Sequence, residues 1–388
     1  MIRSFKFRLY PTRAQEARLV EILDRCRELY NAAIEQRSDA WRRCGKSLSA
    51  YDQNRELKTL DGYGGLKRVA EQVVARVHRA FAAFFRRVKS GGAPGYPRFK
   101  NAARYRSFET DVGIRADAAA LSVCRMRIRW KAWALVPPRD AIRCLRVIRE
   151  ADGWFAVLVC DMEPEPLQPT GAAVGIDVGL LTLVATSDGE KIAPAKHLVR
   201  AAKKLARAQR RVSRRRKGSR RRRKAVASLA KHHQRVARSR AHFLHGISKK
   251  LVAENDVIAA EDIVPMVSAG GRGAKGHGFR RAIQDASWGI LFSQIAYKAE
   301  SAGRTFVRVD PRGTSQECSA CGHKQQKTLQ ERTHRCAACG LVLDRDVNAA
   351  HVILNRALRA LRGGDGLSGA PTNREQAHVH DGWPIHSS

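Results

Sequence analysis

Along the first part of the chain the period of apolar positions switches from two to 3.6 and back. Ser4 to Tyr10 (SFKFRLY) alternates polar and apolar residues, which predicts a strand. Pro11 stops it, and Thr12 with Gln15 forms a capping box for a helix. Leu19, Leu23, Cys26, Tyr30 and Ile34 then recur at spacings of three and four, so one helical face packs on a core. After a polar stretch with Gly62, Gly64 and Gly65, a second helix carries Leu66, Val69, Val73, Val77, Phe81, Phe84 and Val88 on one side. That spacing assigns Phe84 to the core, with a base-stacking pair of Phe84 and Phe85 as the alternative. Ser90 to Phe99 is a Gly/Pro-rich loop. Alternation returns in Arg125–Val136 and Cys144–Met162, which read as antiparallel strands. The expectation is a β-domain, residues 1–10 and 91–165, interrupted by a helical insertion, residues 11–90.

Pro164, Pro166 and Pro169 mark a linker, and the pattern changes character beyond it. Val174 to Asp177 reads as a buried strand ending in an acid, and the Gly175-x-Asp177-x-Gly179 setting implies close approach to the carboxylate. Leu181–Thr186 is the next strand, and Asp188-Gly189 a hairpin turn into a third. Leu198, Leu205, Val226, Leu229 and Val236 outline two helices over 196–250, joined at Gly218-Ser219. Leu251–Ala260 is a fourth strand and again delivers acids, Glu261-Asp262. Val267–Arg281, Gly-rich and basic, is expected as a mobile loop. Ser287–Ala302 is a helix ended by Gly303, and Thr305–Asp310 a fifth strand. Asp346 opens a helix over Asn348–Leu361. This α/β half covers 170–313 and 340–362, with 314–339 inserted and 363–388 composed like a disordered tail. His378, His380 and His386 in the tail receive no role.

Charge changes the picture next. Lys and Arg total 73 against 36 Asp and Glu, a formal net charge of +37. That excess implies a polyanionic partner. A membrane surface is one candidate, but no apolar run of about 18 residues exists, so nucleic acid is the better reading. No signal-like segment opens the chain, which places it in a reducing cytosol, where the nine cysteines stay unpaired. Cys26, Cys44, Cys124, Cys144 and Cys160 are read as small buried hydrophobes. From Lys191 to Ala253 there is no acid at all. Within that stretch Arg210, Arg211, Arg214, Arg215, Arg216, Lys217, Arg220, Arg221, Arg222, Arg223 and Lys224 place eleven cations in fifteen positions. Such density repels itself unless a polyanion neutralises it, and it would track a duplex backbone without reading sequence. Arg98 and Lys100, with Arg104 and Arg106, alternate with Phe99, Tyr105 and Phe108, a pattern that touches phosphates and stacks bases; a plain basic surface is the alternative.

Two constellations carry chemistry. Cys318-x-x-Cys321 and Cys336-x-x-Cys339, fourteen residues apart, suit a closed tetrahedral four-cysteine zinc site, structural rather than catalytic; two disulfides are the alternative. Asp177, Glu261 and Asp346 each follow a strand or open a helix. If they converge they make an oxygen-only site for Mg²⁺ or Mn²⁺, suited to two-ion phosphodiester hydrolysis; otherwise they are three unrelated structural acids.

Taken together, Gly175-Ile176-Asp177-Val178-Gly179, Glu261-Asp262, Thr314-Ser315-x-x-Cys318-x-x-Cys321-Gly322, Cys336-x-x-Cys339-Gly340 and Asp344-Arg345-Asp346-x-Asn348-Ala349-Ala350 resemble the TnpB family, encoded by insertion sequences and similar to compact type V CRISPR effectors. Phe7 to Thr12, Leu29-Tyr30-Asn31 and Tyr96 to Lys100 are also similar to it. The resemblance implies a multidomain α+β fold: a wedge-like β-domain with a helical recognition insertion, then an RNase H-like, RuvC-type α/β nuclease domain with the four-cysteine zinc knuckles inserted in it. It implies a monomeric RNA-guided DNA endonuclease of a bacterial or archaeal cytoplasm and nucleoid. A transposon-end guide RNA (ωRNA) would pair with one strand of double-stranded target DNA, and the protein would read a short adjacent motif. By motif position, Asp177, Glu261 and Asp346 match the catalytic, magnesium-binding triad, Asp344 ranks below Asp346, and the Arg-rich hairpin would hold the guide–target duplex. A guided repressor that does not cut and a transposase accessory protein are the alternatives.

Overall fold

A computed structural model describes residues 1–58, 64–132, 136–263, 274–328 and 331–363. The expected tail, with its three histidines, lies outside them. The chain forms two compact units, Met1–Met162 and Glu163–Ser388.

In the first unit, β1 (Ile2–Tyr10) is followed by α1 (Arg13–Cys44), α2 (Ala50–Leu57) and α3 (Lys67–Lys89). Then come β2 (Ser107–Thr110), β3 (Arg115–Ala116), β4 (Ala120–Val123), β5 (Met126–Lys131), β6 (Ile142–Glu150) and β7 (Gly153–Asp161). The seven strands make one antiparallel sheet in the order β2-β6-β7-β1-β5-β4-β3. β1 lies between the last strand, Ile2 opposite Asp161, and β5, Leu9 opposite Trp130. Phe7 and Leu9 point into the core while their neighbours face out, as the period-two pattern requires. The Thr12 capping box is formed: its hydroxyl accepts from the Gln15 amide and the Gln15 side chain accepts from the Thr12 amide. The α1 stripe of Leu19, Leu23, Cys26, Tyr30 and Ile34 is buried against the same core as Val69, Val73, Val77 and Phe81 of α3.

The apolar face of α3 leaves the core after Phe81. Phe84 is half-buried, and Phe85 and Val88 are exposed, so the core role read for Phe84 and Val88 is corrected. Tyr105 and Phe108 are corrected the other way: both are buried in the core and offer no ring to a base. Asn31 explains the kinship of two motifs, because its side chain accepts from the Lys100 amide at 2.8 Å and donates to the Lys100 carbonyl at 3.0 Å. Of the five scattered cysteines, Cys26 and Cys160 are buried, Cys124 and Cys144 half-buried, and Cys44, at the end of α1, exposed rather than buried.

The second unit contains β8 (Ala173–Asp177), β9 (Val184–Thr186), β10 (Lys191–Ile192), α4 (His197–Ser213), α5 (Arg220–Glu254) and β11 (Val257–Glu261). It continues with α6 (Ala274–Ala286), α7 (Trp288–Ala302), β12 (Thr305–Val309), β13 (Thr333–Arg335), β14 (Val342–Asp344) and α8 (Arg345–Gly363). A five-stranded sheet runs β10-β9-β8-β11-β12, with β8, β9 and β10 antiparallel and β8, β11 and β12 parallel. The expected strand from Leu181 begins only at Val184, and Leu181 is exposed. Residues 274–281, expected within a loop, are helical. Tertiary contacts anchor that helix: the Asp285 carboxylate accepts from the Leu198 amide, and Arg240 donates to the Gln284 carbonyl. The first part of the expected loop lies outside the described residues.

What comes close at Gly175 is helix α8. A Cβ there would lie 2.0 Å from the Ala350 carbonyl oxygen and 2.9 Å from Leu354 Cβ, so only glycine lets α8 lie on β8. Gly175→Ala is expected to destabilise the unit by about 3 kcal/mol or more, above the usual range for overpacking because a backbone oxygen must move. Urea unfolding of both proteins measures it.

Candidate active site and metal centre

The parallel pairing of β8 with β11 puts Ile176 beside Ala260. The next residue on each strand is the acid, so Asp177 and Glu261 leave neighbouring strands at the same end of the sheet. Asp346 lies in the first turn of α8, four residues before Ala350 and hence on the same helix face. The Ala350–Gly175 contact therefore turns Asp346 toward the end of β8. The three carboxylates do not bring their oxygens within 4.8 Å of one another, but their charges act at Asp177. Burial, then the charges of Glu261 and Asp346, push the Asp177 carboxyl up to about 7, against the opposing pull of Arg345 and the Val178 amide. Glu261 is also raised, by burial, opposed by a hydrogen bond from the Thr314 hydroxyl and by the Arg356 charge. Ionised together, these carboxylates repel, and a divalent cation among them would relieve the repulsion. The donor set, oxygens only, suits Mg²⁺ or Mn²⁺.

Asp344 is committed elsewhere. Its Oδ1 accepts from the Asp346 and Val347 amides at 3.0 and 3.2 Å, the capping pattern at a helix start. Its Oδ2 pairs with Lys191 at 2.5 Å. Burial opposes ionisation, but Lys191 and the two amides hold its carboxyl below the usual range.

Among the described residues, only the four cysteines bring three or more metal-ligating atoms within 4.8 Å of one another. Cys318 and Cys339 sulfurs stand 3.6 Å apart, and Cys321 and Cys336 3.5 Å. A tetrahedral zinc with Zn–S of about 2.3 Å requires sulfurs roughly 3.8 Å apart, whereas a disulfide requires about 2.0 Å. The cysteines therefore fit zinc and are not disulfide-bonded. Each pair turns tightly: Gly322 and Gly340, both with φ near +77°, donate to the Cys318 and Cys336 carbonyls at 2.9 and 3.0 Å. The Cys339 and Ala338 amides draw the Cys336 thiol down to about 6, favouring the thiolate a metal needs.

α8 joins the two centres. The fully buried Asn348 side chain accepts from the Ser319 amide at 3.0 Å and donates to the Glu317 carbonyl at 2.8 Å. Asn355 donates to the Ser319 carbonyl at 3.1 Å. Arg356 pairs with Glu317 at 2.6 Å and donates to the Asp310 and Arg312 carbonyls at 2.9 and 3.0 Å, steadying the turn before Thr314. Thr314 and Asn348 stand within motifs read from the sequence, but neither hydrogen bond is visible there. Arg356 carried no signal at all.

The basic positions divide by what their side chains do. In the α4–α5 turn Arg210, Arg211, Arg214, Arg215, Arg216, Lys217, Arg220, Arg221, Arg223 and Lys224 are exposed. Arg222 is half-buried and donates to the Val212 and Arg215 carbonyls at 2.8 and 3.2 Å, closing the turn. A cleft of about 590 Å³ is lined by Arg207, Arg210, Arg211, Arg214 and Arg215; Arg207 lies outside the run singled out by sequence. Arg98 is exposed. The Lys100 ammonium lies over the Tyr30 ring, 4.7 Å from its centroid, and 5.8 Å from that of Tyr105. No helix among the described residues is long and apolar enough to cross a membrane.

Three family models match the chain: one described as "Probable transposase" over residues 157–265, "Cas12f1-like, TNB domain" over 288–353, and "Helix-turn-helix domain" over 1–46. The last segment folds here as β1 and the single helix α1. Several relatives carry the name "Putative RNA-guided DNA endonuclease", two of them matching along nearly the whole chain. One, from Streptomyces pristinaespiralis, is 36% identical over 384 residues, covering 94% of this chain and 92% of the relative. The other, InsQ of Escherichia coli K12, is 26% identical over 400 residues, covering 97% and 98%. Of solved structures, that of the mini-RNA-guided endonuclease CRISPR-Cas_phi3 aligns over 92% of each chain with 9% identity and a TM-score of 0.48, too distant to carry an argument.

Proposed function

The chain belongs to the TnpB family, and we propose that it is an RNA-guided DNA endonuclease that hydrolyses phosphodiesters at Asp177, Glu261 and Asp346. The observation that carries this reading is the pairing of β8 with β11, which delivers Asp177 and Glu261 at the same end of the sheet, with Asp346 in the first turn of the helix that rests on β8. Three carboxylates whose oxygens do not all lie within 4.8 Å of one another, but whose charges act on Asp177, would be drawn together on a divalent cation at this end of the mixed sheet. The sheet, three antiparallel strands followed by two parallel ones, supports a RuvC-type, RNase H-like domain.

Mg²⁺ or Mn²⁺ held by these oxygens would supply water activation and charge stabilisation at the scissile phosphate. The chain's own residues set the stage. Thr314 fixes the Glu261 carboxylate by hydrogen bond. The first turn of α8 carries Asp346, where the helix dipole favours a negative charge. Asp344, spent on capping, leaves Asp346 as the ligand. Zinc at Cys318, Cys321, Cys336 and Cys339 would hold the loop that Asn348 and Asn355 grip, and through it the start of α8. The first unit would be the wedge-like β-domain with its recognition helices. A guide RNA would confer sequence specificity by pairing, one protein per RNA, and both DNA strands would be cut in turn at the one acidic site.

The exposed arginines of the α4–α5 turn would hold the guide–target backbone. Replacing Arg214, Arg215 and Arg216 together by Ala is expected to weaken binding uniformly across sequences. The slope of log affinity against log salt should fall by about 2 to 3, since each neutralised duplex phosphate contributes about 0.9. Binding titrations at several salt concentrations measure it.

The direct test is co-expression with the DNA flanking the gene and sequencing of any bound RNA. The complex is then challenged, with Mg²⁺, with plasmids carrying a guide-matched target beside a randomised motif. RNA-dependent linearisation, lost in Asp177→Asn, is the expected result. Discrete RNA without cutting would turn the reading to a guided repressor. No discrete RNA would overturn guidance itself.

A further inference from the structure

The end of α3 and the loop after it form a surface that the acidic site, the zinc knuckles and the Arg-rich turn do not use. Phe81 is the last α3 ring inside the core. Tyr96 packs edge-on against it, centroids 5.5 Å apart, and against Phe84 at 5.5 Å; Phe85 packs on Phe84 at 5.1 Å. Arg87 donates to the Gly95 carbonyl at 3.4 Å, tying the loop to the helix. Phe85, within this ring group, and Phe99, three residues beyond Tyr96, stand 51% and 59% exposed. Leaving such rings in water forgoes burial free energy, so a cluster of them marks a binding surface. The charge around it names the partner. Between residues 72 and 108 there is no Asp or Glu but nine Lys and Arg, and Arg86 and Arg98, adjacent in sequence to Phe85 and Phe99, are exposed. Open π faces amid cations fit bases and phosphates together. Paired bases hide their faces in the stack, so only unpaired nucleotides can use them.

We propose that this surface holds unpaired nucleotides of the bound RNA, with bases on Phe85 and Phe99 and phosphates on Arg86 and Arg98. This rests on the RNA-guided reading above. RNA is the occupant because a guide stays bound throughout and its loops keep bases splayed for stacking, whereas a target DNA strand is unpaired only while the guide displaces it.

The test titrates the full chain, at salt high enough to suppress the Arg-rich turn, with labelled unstructured oligo-uridine RNA, oligo-thymidine DNA and an RNA duplex. Phe85→Ala and Phe99→Ala are each expected to weaken single-stranded RNA binding by about 10-fold. Duplex binding and the salt slope should not change. Phe85→Trp should restore binding, and Arg98→Ala should lower the single-strand slope by about 0.7. Equal losses on the duplex, losses on the DNA strand alone, or no loss would each overturn the proposal. Intact RNA binding by the Phe variants would overturn it alone, leaving the guided nuclease standing. A wild-type chain that takes up no oligo-uridine would likewise overturn it alone, whereas a chain that co-purifies with no discrete RNA would overturn both.

Discussion

Asp177→Asn is expected to slow plasmid cleavage by about 10⁴–10⁶-fold, the scale seen when one member of a set acting as a unit is removed, while RNA and target binding stay near wild type. The same substitution should make the metal-free protein more stable above neutral pH. In the folded, metal-free chain burial and two neighbouring acids raise Asp177 from an ordinary 3.8 to about 7. A folded-state pKa above the unfolded one means that the folded chain binds the extra proton. The stabilising contribution is therefore fully present below about pH 4 and is lost as pH rises through about 7, an interval worth roughly 4 kcal/mol. Asparagine never ionises, so the variant escapes that loss and should melt several degrees higher at pH 8. Mg²⁺ should reverse the ranking. It should raise the melting temperature of the wild type and leave the variant nearly unchanged, and its apparent affinity for the wild type should fall between pH 8 and pH 6 as protons compete for the carboxylate. Thermal scans with and without Mg²⁺, run beside cleavage assays, read all of these. A variant that still cuts, or equal metal-induced shifts in both proteins, would remove Asp177 from the site.

Cys336→Ser, or removal of metal by a chelator, is expected to cost at least about 4 kcal/mol, the diagnostic tail reached when a structural metal is lost. For a unit of this size that is about 8–16 °C in melting temperature. Cys336 stands for any of the four, since its sulfur is one of the set that lies within 4.8 Å of one another. Cleavage should fall with stability, because Asn348 and Asn355 hold the start of α8, and with it Asp346, through the knuckle backbone at Glu317 and Ser319. Calorimetry together with zinc content, one ion per chain in the wild type and none in the variant, decides it. Unchanged melting after the metal is stripped would show that the knuckles stand without it.

The local features of the chain were legible in its residues. Alternation drew β1, the three-and-four spacing drew α1, and Thr12-x-x-Gln15 marked where α1 begins. Cysteine spacing marked the four-cysteine cluster, and acids at the ends of apolar runs marked Asp177 and Glu261 as strand-end residues. Each is a property of neighbours in sequence, which composition and period record directly. What only the tertiary structure decided depends on residues far apart. The Ile176–Ala260 pairing aligns two strand ends, and α8 rests on Gly175, so the backbone approach that the glycine permits is a helix. Period alone could not say where cover runs out: the α3 stripe continues unbroken past Phe81, yet the core stops there, while Tyr105 and Phe108, read as outward rings, go inside. A count of cations likewise cannot tell Arg222 and Lys100, held by carbonyls and aromatic rings, from the arginines left free to meet phosphate. Sequence shows which face of an element is apolar or charged, whereas what covers that face, and for how many turns, is settled by packing between elements that the chain order keeps apart.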